Sequence, residues 1–365
     1  MKLLLAIKAL SVPGGGAERV FVDLANGLSA RGHEVGVLTF EAASAESFYP
    51  LDAKIPRADT GLAGNSKLAQ ILSLPVARRV VMAQKPDAVV AFMPSCYVPL
   101  GAALIGSGIP VVASEHNVPA RYAKQPMSWM SMRLAGRYAA AFTAVSEQMR
   151  RQYPRALRDK MTVLPNPLSV DIGSRANVAG HADGRGRVIA VGRLHEQKDH
   201  LTLVRAFSVL AGEFPGWTLR ILGEGNQRGQ LERAIAELGL GGRVELPGTV
   251  RDIAGEYRDA QLYVIPSRYE SYGLATVEAL AHGLPAIGFA DCPGTNELIR
   301  DGINGLIVDP RDDRTGQLVA AMRRLMMDKD LRQALASRAN ADALARTLPQ
   351  VLDEWEAFLA RTVAP

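Results

Sequence analysis

The sequence predicts an α/β protein made of two doubly wound domains that face a central cleft. Three observations predict it. The 365 residues exceed one ordinary core and suit two domains, each of about 150 residues. Short β-rich runs, apolar on both faces, alternate with amphipathic stretches, as in parallel sheets covered by helices. Between the two series, 171–186 breaks the alternation with GSRANVAGHADGRG, which is poor in large apolar side chains and reads as a linker.

In the first domain, 1–170, strands are predicted at 3–10, 34–40, 87–93, 110–116, 141–146 and 161–164. A helix is predicted over 15–31, where Ala17, Val20, Phe21, Leu24 and Leu28 recur at spacings of three and four. In the second, 187–348, strands are predicted at 188–191, 219–222, 244–246, 262–266, 286–289 and 306–308. Helices fit between them, notably 199–211 and 273–282. After 311 the chain turns helical to the end, and 349–365 is set apart as a terminal helix.

Apolar residues make up 48% and charged residues 22%, which excludes a disordered chain. Cys96 and Cys292 are the only cysteines, a usage that suits a reducing compartment. Lys8 interrupts the apolar start MKLLLAIKAL, so it reads as a buried strand rather than a targeting segment. No apolar run has the length of a spanning helix. The expected location is the cytoplasm.

The net charge of +5 is uneven. Residues 1–170 hold 19 Lys+Arg against 11 Asp+Glu, and residues 171–365 hold 23 against 26. One half is thus suited to an anionic partner. Within it, 121–160 carries nine Lys+Arg against two acids, with Met127, Trp129, Met130 and Met132 among them. This segment suits either peripheral contact with the anionic inner face of the plasma membrane or an ordinary basic helix face over a buried Trp. No RNP-type aromatic motif or zinc spacing supports a nucleic-acid partner.

Four segments carry chemistry. In VGRLHEQKD, 191–199, a strand ends and a loop presents Arg193 and Lys198 near a helix start, where a fork and a point charge can grip phosphate oxygens. Alone, these are as readily two solvated charges. In SRYESYGLATVEALAHGLP, 267–285, a loop carries Glu270, and the helix that follows carries Glu278. The N–H groups of Tyr272, Gly273 and Leu274 point out of the helix start and make an anion site. Glu270 would lie near the sugar end of a bound nucleotide, and Glu278 would face a ribose. Two glutamates eight apart mean little by themselves. In SVPGGGAERV, 11–20, the glycines let backbone approach a phosphate, although the run is neither a GxGxxG fingerprint nor a Walker loop. In SEHN, 114–117, His116 ends a strand and can bond a sugar hydroxyl or the acceptor, though a lone histidine is more often structural.

In order along the chain, GGGAER, SEHN, AVS (144–146), VLPNP (163–167), VGRLHEQKD, LGEG (222–225), PGTVRDI (247–253), PSRYESYGLATVEALAHGLPAIG (266–288), DCPGTNELI (291–299) and DGINGLIV (301–308) resemble the retaining group 1 glycosyltransferases. These have the GT-B fold of two Rossmann-like domains and a Glu-x7-Glu motif. The resemblance implies an N-terminal acceptor domain and a C-terminal domain for a UDP- or GDP-linked sugar. It implies that Arg193 and Lys198 bind the diphosphate, Glu278 the ribose and Glu270 the transferred sugar. The N–H groups of Tyr272, Gly273 and Leu274 would hold sugar hydroxyls and phosphate. Gly15 or Gly16 would close on the phosphates, His116 would approach the sugar's 6-position, and Val250 would receive the base. The last helix, about 351–361, would cross back onto the first domain. GGGAER, ESFYPL (46–51) and SEHN are most similar to enzymes that extend lipid-linked oligosaccharides or exopolysaccharide repeats.

No D-x-D motif is apparent among these segments, and two fixed cations can replace a divalent ion, so no metal and no cofactor are expected. The implied reaction is retaining transfer of a hexose or N-acetylhexosamine to a glycan acceptor on a polyprenyl diphosphate, or to another lipid or soluble acceptor. The alternatives are a nucleotide-sugar epimerase of the same fold, a phosphorylase, for which no pyridoxal-lysine segment is seen, and a sugar-binding scaffold.

Overall fold

In the computed structural model of the chain, residues 1–42, 45–60, 67–122, 126–168, 175–181, 183–343 and 347–363 are described. The chain forms two compact units. Unit 1 is Met1–Pro167 with Leu348–Pro365, and unit 2 is Leu168–Thr347. The break thus falls three residues before the sequence-predicted end of the first domain. Residues 171–174 and 182 of the predicted linker lie outside the described residues, and its last residue, Gly186, already opens a strand.

Unit 1 runs β1 (Lys2–Ile7), α1 (Gly16–Ala30), β2 (Glu34–Thr39), β3 (Arg57–Asp59), α2 (Lys67–Gln84), β4 (Ala88–Phe92), α3 (Pro94–Ala103), β5 (Val111–Glu115), a 3-10 turn (Pro119–Tyr122), α4 (Pro126–Ala135), β6 (Ala141–Ala144), α5 (Glu147–Arg151), α6 (Arg155–Arg158) and β7 (Met161–Val163). Its sheet has the order β3-β2-β1-β4-β5-β6-β7, and its strands pair in parallel. The central strands β1 (after Lys2) and β4 are buried on both faces, as their unbroken apolar runs require. The first strand stops at Ile7, short of the predicted residue 10. The Leu10 N–H instead turns to the buried Glu41 carboxylate at 2.6 Å. Helix α1 buries Val20, Phe21, Leu24 and Leu28 as the spacing predicts, and Phe21 meets Phe92 edge to face.

Unit 2 runs β8 (Gly186–Val191), a 3-10 turn (Glu196–Lys198), α7 (His200–Leu210), β9 (Trp217–Leu222), α8 (Arg228–Glu237), β10 (Val244–Gly248), α9 (Ile253–Asp259), β11 (Leu262–Ile265), α10 (Leu274–Ala281), β12 (Ala286–Phe289), α11 (Pro293–Asn296), β13 (Gly305–Val308), α12 (Arg314–Met327) and α13 (Lys329–Ala343). Its strands pair in parallel, in the order β10-β9-β8-β11-β12-β13. The core joins Val188, Ile221, Val264 and Ile287 of the sheet to Phe207 of α7 and Met322 of α12.

Helix α14 (Leu348–Val363) belongs to unit 1. Arg31, just past α1, donates to Asp353 and Glu356 at 2.7 Å each and to the Pro349 carbonyl at 2.7 Å. Leu352 fills the space left by Gly27, where a Cβ would come within 2.6 Å of its methyl.

Helix α12 begins on a side-chain cap, with Asp313 Oδ1 accepting from the Gly316 N–H at 2.9 Å. Asp313→Ala is expected to cost about 1 kcal/mol, the usual loss for such a cap. Denaturant melts of the two proteins measure it.

Candidate functional site

Each sheet reverses its winding once, and ligands of such sheets collect beyond the carboxyl ends of the strands at that reversal. In unit 2 the reversal lies between β8 and β11. Lys198 follows β8 and Glu270 follows β11, so the two best sequence candidates flank this point from opposite sides.

The two side chains meet. Lys198 Nζ donates to Glu270 Oε1 at 2.6 Å, and Ser267 Oγ donates to the same oxygen at 2.6 Å. Both charged groups are largely buried, at 16% and 8% side-chain exposure. An ammonium has three donors, and Glu270 takes one of them. Arg193 stands exposed on the same β8 loop. That loop is seated by backbone bonds: Leu194 N–H to Glu224 O and Gln227 N–H to Leu194 O, both 2.9 Å. Gly223 is required for the contact, because a Cβ there would come 2.2 Å from the Gly192 carbonyl oxygen. The LGEG segment thus serves to place Arg193.

Helix α10 starts one residue later than the anion site read from the sequence. Gly273 is its N-cap, in a left-handed conformation (φ 92°), and Leu274 is its first helical residue. The Thr276 N–H is already bonded to Gly273 O at 2.9 Å. The N–H groups of Leu274 and Ala275 are therefore the ones with no preceding turn to bond to. The Tyr272 side chain is buried, so this residue offers backbone only. Glu278 lies one turn into the helix and is buried; its Oε2 accepts from Tyr257 Oη at 3.1 Å. Val250 is half-buried in the loop after β10.

Several contributors escaped the sequence reading. Gln197 donates to Tyr269 O (2.8 Å), and the Arg268 N–H donates to Gln197 O (2.9 Å), which ties the Lys198 loop to the Glu270 loop. Gly294 packs directly beneath the Glu270 backbone. The sequence also holds one D-x-D triplet, Asp328-Lys329-Asp330. It is a helix junction, where Asp328 Oδ1 accepts from the Leu331 N–H at 2.8 Å and caps α13.

In unit 1 the reversal lies between β1 and β4. Gly15 caps α1, Gly16 is its first residue, and Glu18 folds back over Gly15. At the end of β4, Met93 has φ 66° and ψ 155°, a conformation nearly confined to glycine and costing about 1–3 kcal/mol. His116, one strand over, is buried. Its ring stacks on Phe92 at 4.8 Å, and Nε2 lies 3.1 Å from Ser114 Oγ. Burial holds its pKa down to about 4, so the ring is neutral at physiological pH.

The neighbouring Glu115 is an unforeseen centre of this loop. It is fully buried and accepts from Tyr97 Oη (2.5 Å), Tyr122 Oη (3.2 Å) and the N–H groups of His116 (2.9 Å) and Asn117 (2.8 Å). Burial pushes its pKa up to about 7, against the pull of those donors. Between its ordinary value and about 7 the folded chain holds a proton that the unfolded chain has lost. Stability from this group is therefore present at low pH and is lost as pH rises through about 7. His116, with its pKa lowered, contributes in the opposite direction between about 4 and its ordinary value. Glu115→Gln removes only the first contribution. Relative to wild type, the variant should gain thermal stability as pH rises from 5 to 8, measured as the difference in Tm.

Trp129 is not a free surface aromatic. It packs between Tyr122 (6.3 Å) and Tyr153 (6.1 Å), and Met132 of the same helix is fully buried. On α4, Met130, Arg133 and Leu134 remain exposed. No helix among the described residues is long and apolar enough to cross a membrane.

The two parallel sheets, each flanked by helices and reversing once, form the two-domain α/β GT-B fold. The family described as Glycosyltransferase Family 4 matches residues 14–172, and Glycosyl transferases group 1 matches residues 174–342. The chain belongs to the group 1 glycosyltransferases. It is 26% identical over 372 residues to a Campylobacter jejuni alpha-1,4-N-acetyl-D-galactosaminyltransferase named for an undecaprenol-diphosphate-linked saccharide, covering 99% of this chain and 98% of that one. It is 30% identical over 206 residues to a Streptomyces coelicolor exopolysaccharide phosphotransferase; that match covers 56% of this chain and only 21% of the longer relative. Anabaena HepE, solved in complex with UDP-glucose, superposes with a TM-score of 0.80 over 99% of this chain and 100% of that one, at 21% identity.

Proposed function

We propose that the protein transfers a hexose or N-acetylhexosamine, with retention of configuration, from a UDP- or GDP-sugar to a glycan acceptor. The proposed acceptor is a polyprenyl-diphosphate-linked saccharide used in cell-surface or exopolysaccharide assembly. The observation that carries this reading is the buried Lys198–Glu270 pair at the reversal of the second sheet, beside the start of α10.

In this reading, Lys198, Arg193 and the first N–H groups of α10 hold the diphosphate. Glu270 meets the transferred sugar, Glu278 the ribose, and the Val250 backbone the base. The acceptor hydroxyl oxygen bonds to the anomeric carbon on the face from which the diphosphate leaves. The diphosphate departs with the electron pair of the broken C–O bond, and its oxygen takes the hydroxyl proton. The transition state is oxocarbenium-like. The negative charge grows on oxygens that fixed donors already face, where such donors stabilise most. His116, neutral and buried, offers a hydrogen-bonding ring rather than a charge. These fixed cations do the work of a divalent ion. The Campylobacter relative's named substrate supports the lipid-linked acceptor, and the UDP-glucose complex of HepE supports the donor class.

A thermal-shift panel of UDP, GDP, ADP and their sugars, followed by transfer onto a polyprenyl-diphosphate saccharide, tests the reading. One nucleotide-sugar should stabilise the protein, and product should carry the retained anomeric configuration. Turnover should survive EDTA unchanged. An altered free nucleotide-sugar formed without acceptor would instead mark an epimerase.

For location, we propose a cytoplasmic protein that touches the anionic inner leaflet through α4 and the basic residues around it. Met130 and Leu134 supply exposed apolar area, and Arg133 and Arg137 supply exposed charge. Nearby cations contribute about 1 kcal/mol each at such a surface. The protein should float with anionic liposomes at low salt and release at high salt; absence of low-salt binding removes the membrane from the proposal.

A further inference from the structure

Arg314 opens α12 and lies outside every motif discussed above. Its side chain is mostly buried, at 18% exposure; both Nη atoms are hydrogen-bonded, and Nε makes an ion-pair contact without hydrogen-bond geometry. Nη1 donates to Asp291 Oδ2 at 2.8 Å. Nη2 donates to the carbonyl oxygens of Pro266 (3.1 Å) and Ser267 (3.2 Å). Nε faces Asp199 Oδ2 at 3.2 Å. The guanidinium also stacks over the Phe289 ring at 3.8 Å.

These partners come from three different loops, and each adjoins a residue of the donor site. Asp199 follows Lys198. Ser267 holds Glu270 through its hydroxyl. Phe289 and Asp291 lead into Gly294, which packs under the Glu270 backbone. Asp199 is also one of the few non-glycine residues with positive φ, at 50°. That conformation is strained for a residue with a Cβ and needs support. Arg314, Arg268 (3.1 Å) and the Thr202 hydroxyl (2.9 Å) supply it.

We propose that Arg314 is a positioning residue of the glycosyl-transfer site: it clamps the Lys198 loop, the Glu270 loop and the β12 loop in the one arrangement in which Lys198 and Glu270 meet. A planar fork is needed for this. Lysine has a single charged nitrogen and cannot serve two carboxylates and two carbonyls that surround a plane. The proposal rests on the donor-site reading above, and its test separates the two.

The test measures kcat, KM for the donor and Tm for R314K, R314M, D199N, R314M/D199N and K198A. A displacement near 1 Å at a reacting group costs up to about 100-fold. R314K and R314M should therefore lose at least about tenfold in kcat, with KM changed less and Tm within a few degrees of wild type. D199N keeps the left-handed backbone, which asparagine tolerates. The double variant should be little worse than R314M, because both substitutions break one clamp. Near-normal kcat in R314K and R314M, with K198A impaired, overturns the clamp and leaves the donor site standing. A loss in R314K that merely follows a collapse of its Tm, or full additivity in the double variant, also overturns it. Near-normal turnover in K198A removes the donor-site reading itself.

Discussion

Lys198→Ala is expected to lower kcat by about 100-fold or more, a loss of about 3 kcal/mol of transition-state stabilisation. Two effects of the substitution act together. The departing diphosphate loses a fixed cation at the moment its charge grows. Glu270, held by Lys198 and Ser267 at 2.6 Å each, keeps only the hydroxyl and becomes a buried charge without a counter-ion. A carboxylate freed in this way repels the same diphosphate. Lys198→Arg should not restore full turnover, because the longer planar group cannot place one nitrogen where Nζ now sits. Glu270→Gln provides the contrast. It frees the ammonium from its partner and removes the negative charge, so affinity for the nucleotide diphosphate alone should hold or rise while transfer falls. Steady-state kinetics for the three variants, with nucleotide diphosphate affinity from thermal shift, measure these outcomes. Near-normal kcat in Lys198→Ala would place the diphosphate elsewhere.

The contrast between Lys198 and Arg314 shows where reading a sequence succeeds. Strand cores such as 188–191 and 286–289 were legible because strands buried on both faces must be apolar throughout. β3, Arg57-Ala58-Asp59, was not legible: it is three residues long, and its charges satisfy one another at the sheet edge, with Arg57 Nε donating to Asp59 at 2.8 Å. α2 carries Pro75 in its interior, which reads as a break. Lys198, Glu270 and Glu278 were visible because their loops end strands and carry a recognisable surrounding sequence. Their meeting was not visible, because 72 residues separate Lys198 from Glu270 and only the strand order brings them together. Arg314 sits in DPRDDRTG, where three neighbouring acids make any arginine look like a solvated ion pair. Glu115 stood inside SEHN beside a histidine that drew the chemistry to itself. Its importance lies in burial and in four donors, and no local pattern encodes either. Of the two readings open for 121–160, the packing of Trp129 between Tyr122 and Tyr153 fits a basic helix face over a packed Trp, a contact that no local pattern announces.

Gly294→Ala is expected to damage the site as severely, although residue 294 need not touch substrate. A Cβ at this position would lie 2.3 Å from the Glu270 carbonyl oxygen, 2.6 Å from its carbonyl carbon and 2.9 Å from its Cβ. These are backbone atoms and the root of a side chain, so no rotamer change relieves the overlap. Either α11 or the Glu270 loop must move. α11 is tied in by Thr295, whose Oγ1 donates to Cys292 O at 2.9 Å, and by Asn296, whose Nδ2 donates to Ala290 O at 2.7 Å. The Glu270 loop is held in turn by Gln197, Lys198 and Arg314, and a shift there lengthens both bonds to Glu270 Oε1. Overpacking of this kind costs about 1–3 kcal/mol in stability, and misplacing the reacting groups by about 1 Å costs on the order of 100-fold in rate. Gly212→Ala is the control, because a Cβ there meets nothing within 4 Å. Gly294→Ala should therefore lose most of its kcat at a temperature where it remains folded, while Gly212→Ala keeps both activity and Tm. Full activity in Gly294→Ala would mean that the Glu270 backbone has room to yield and that its position does not set the rate.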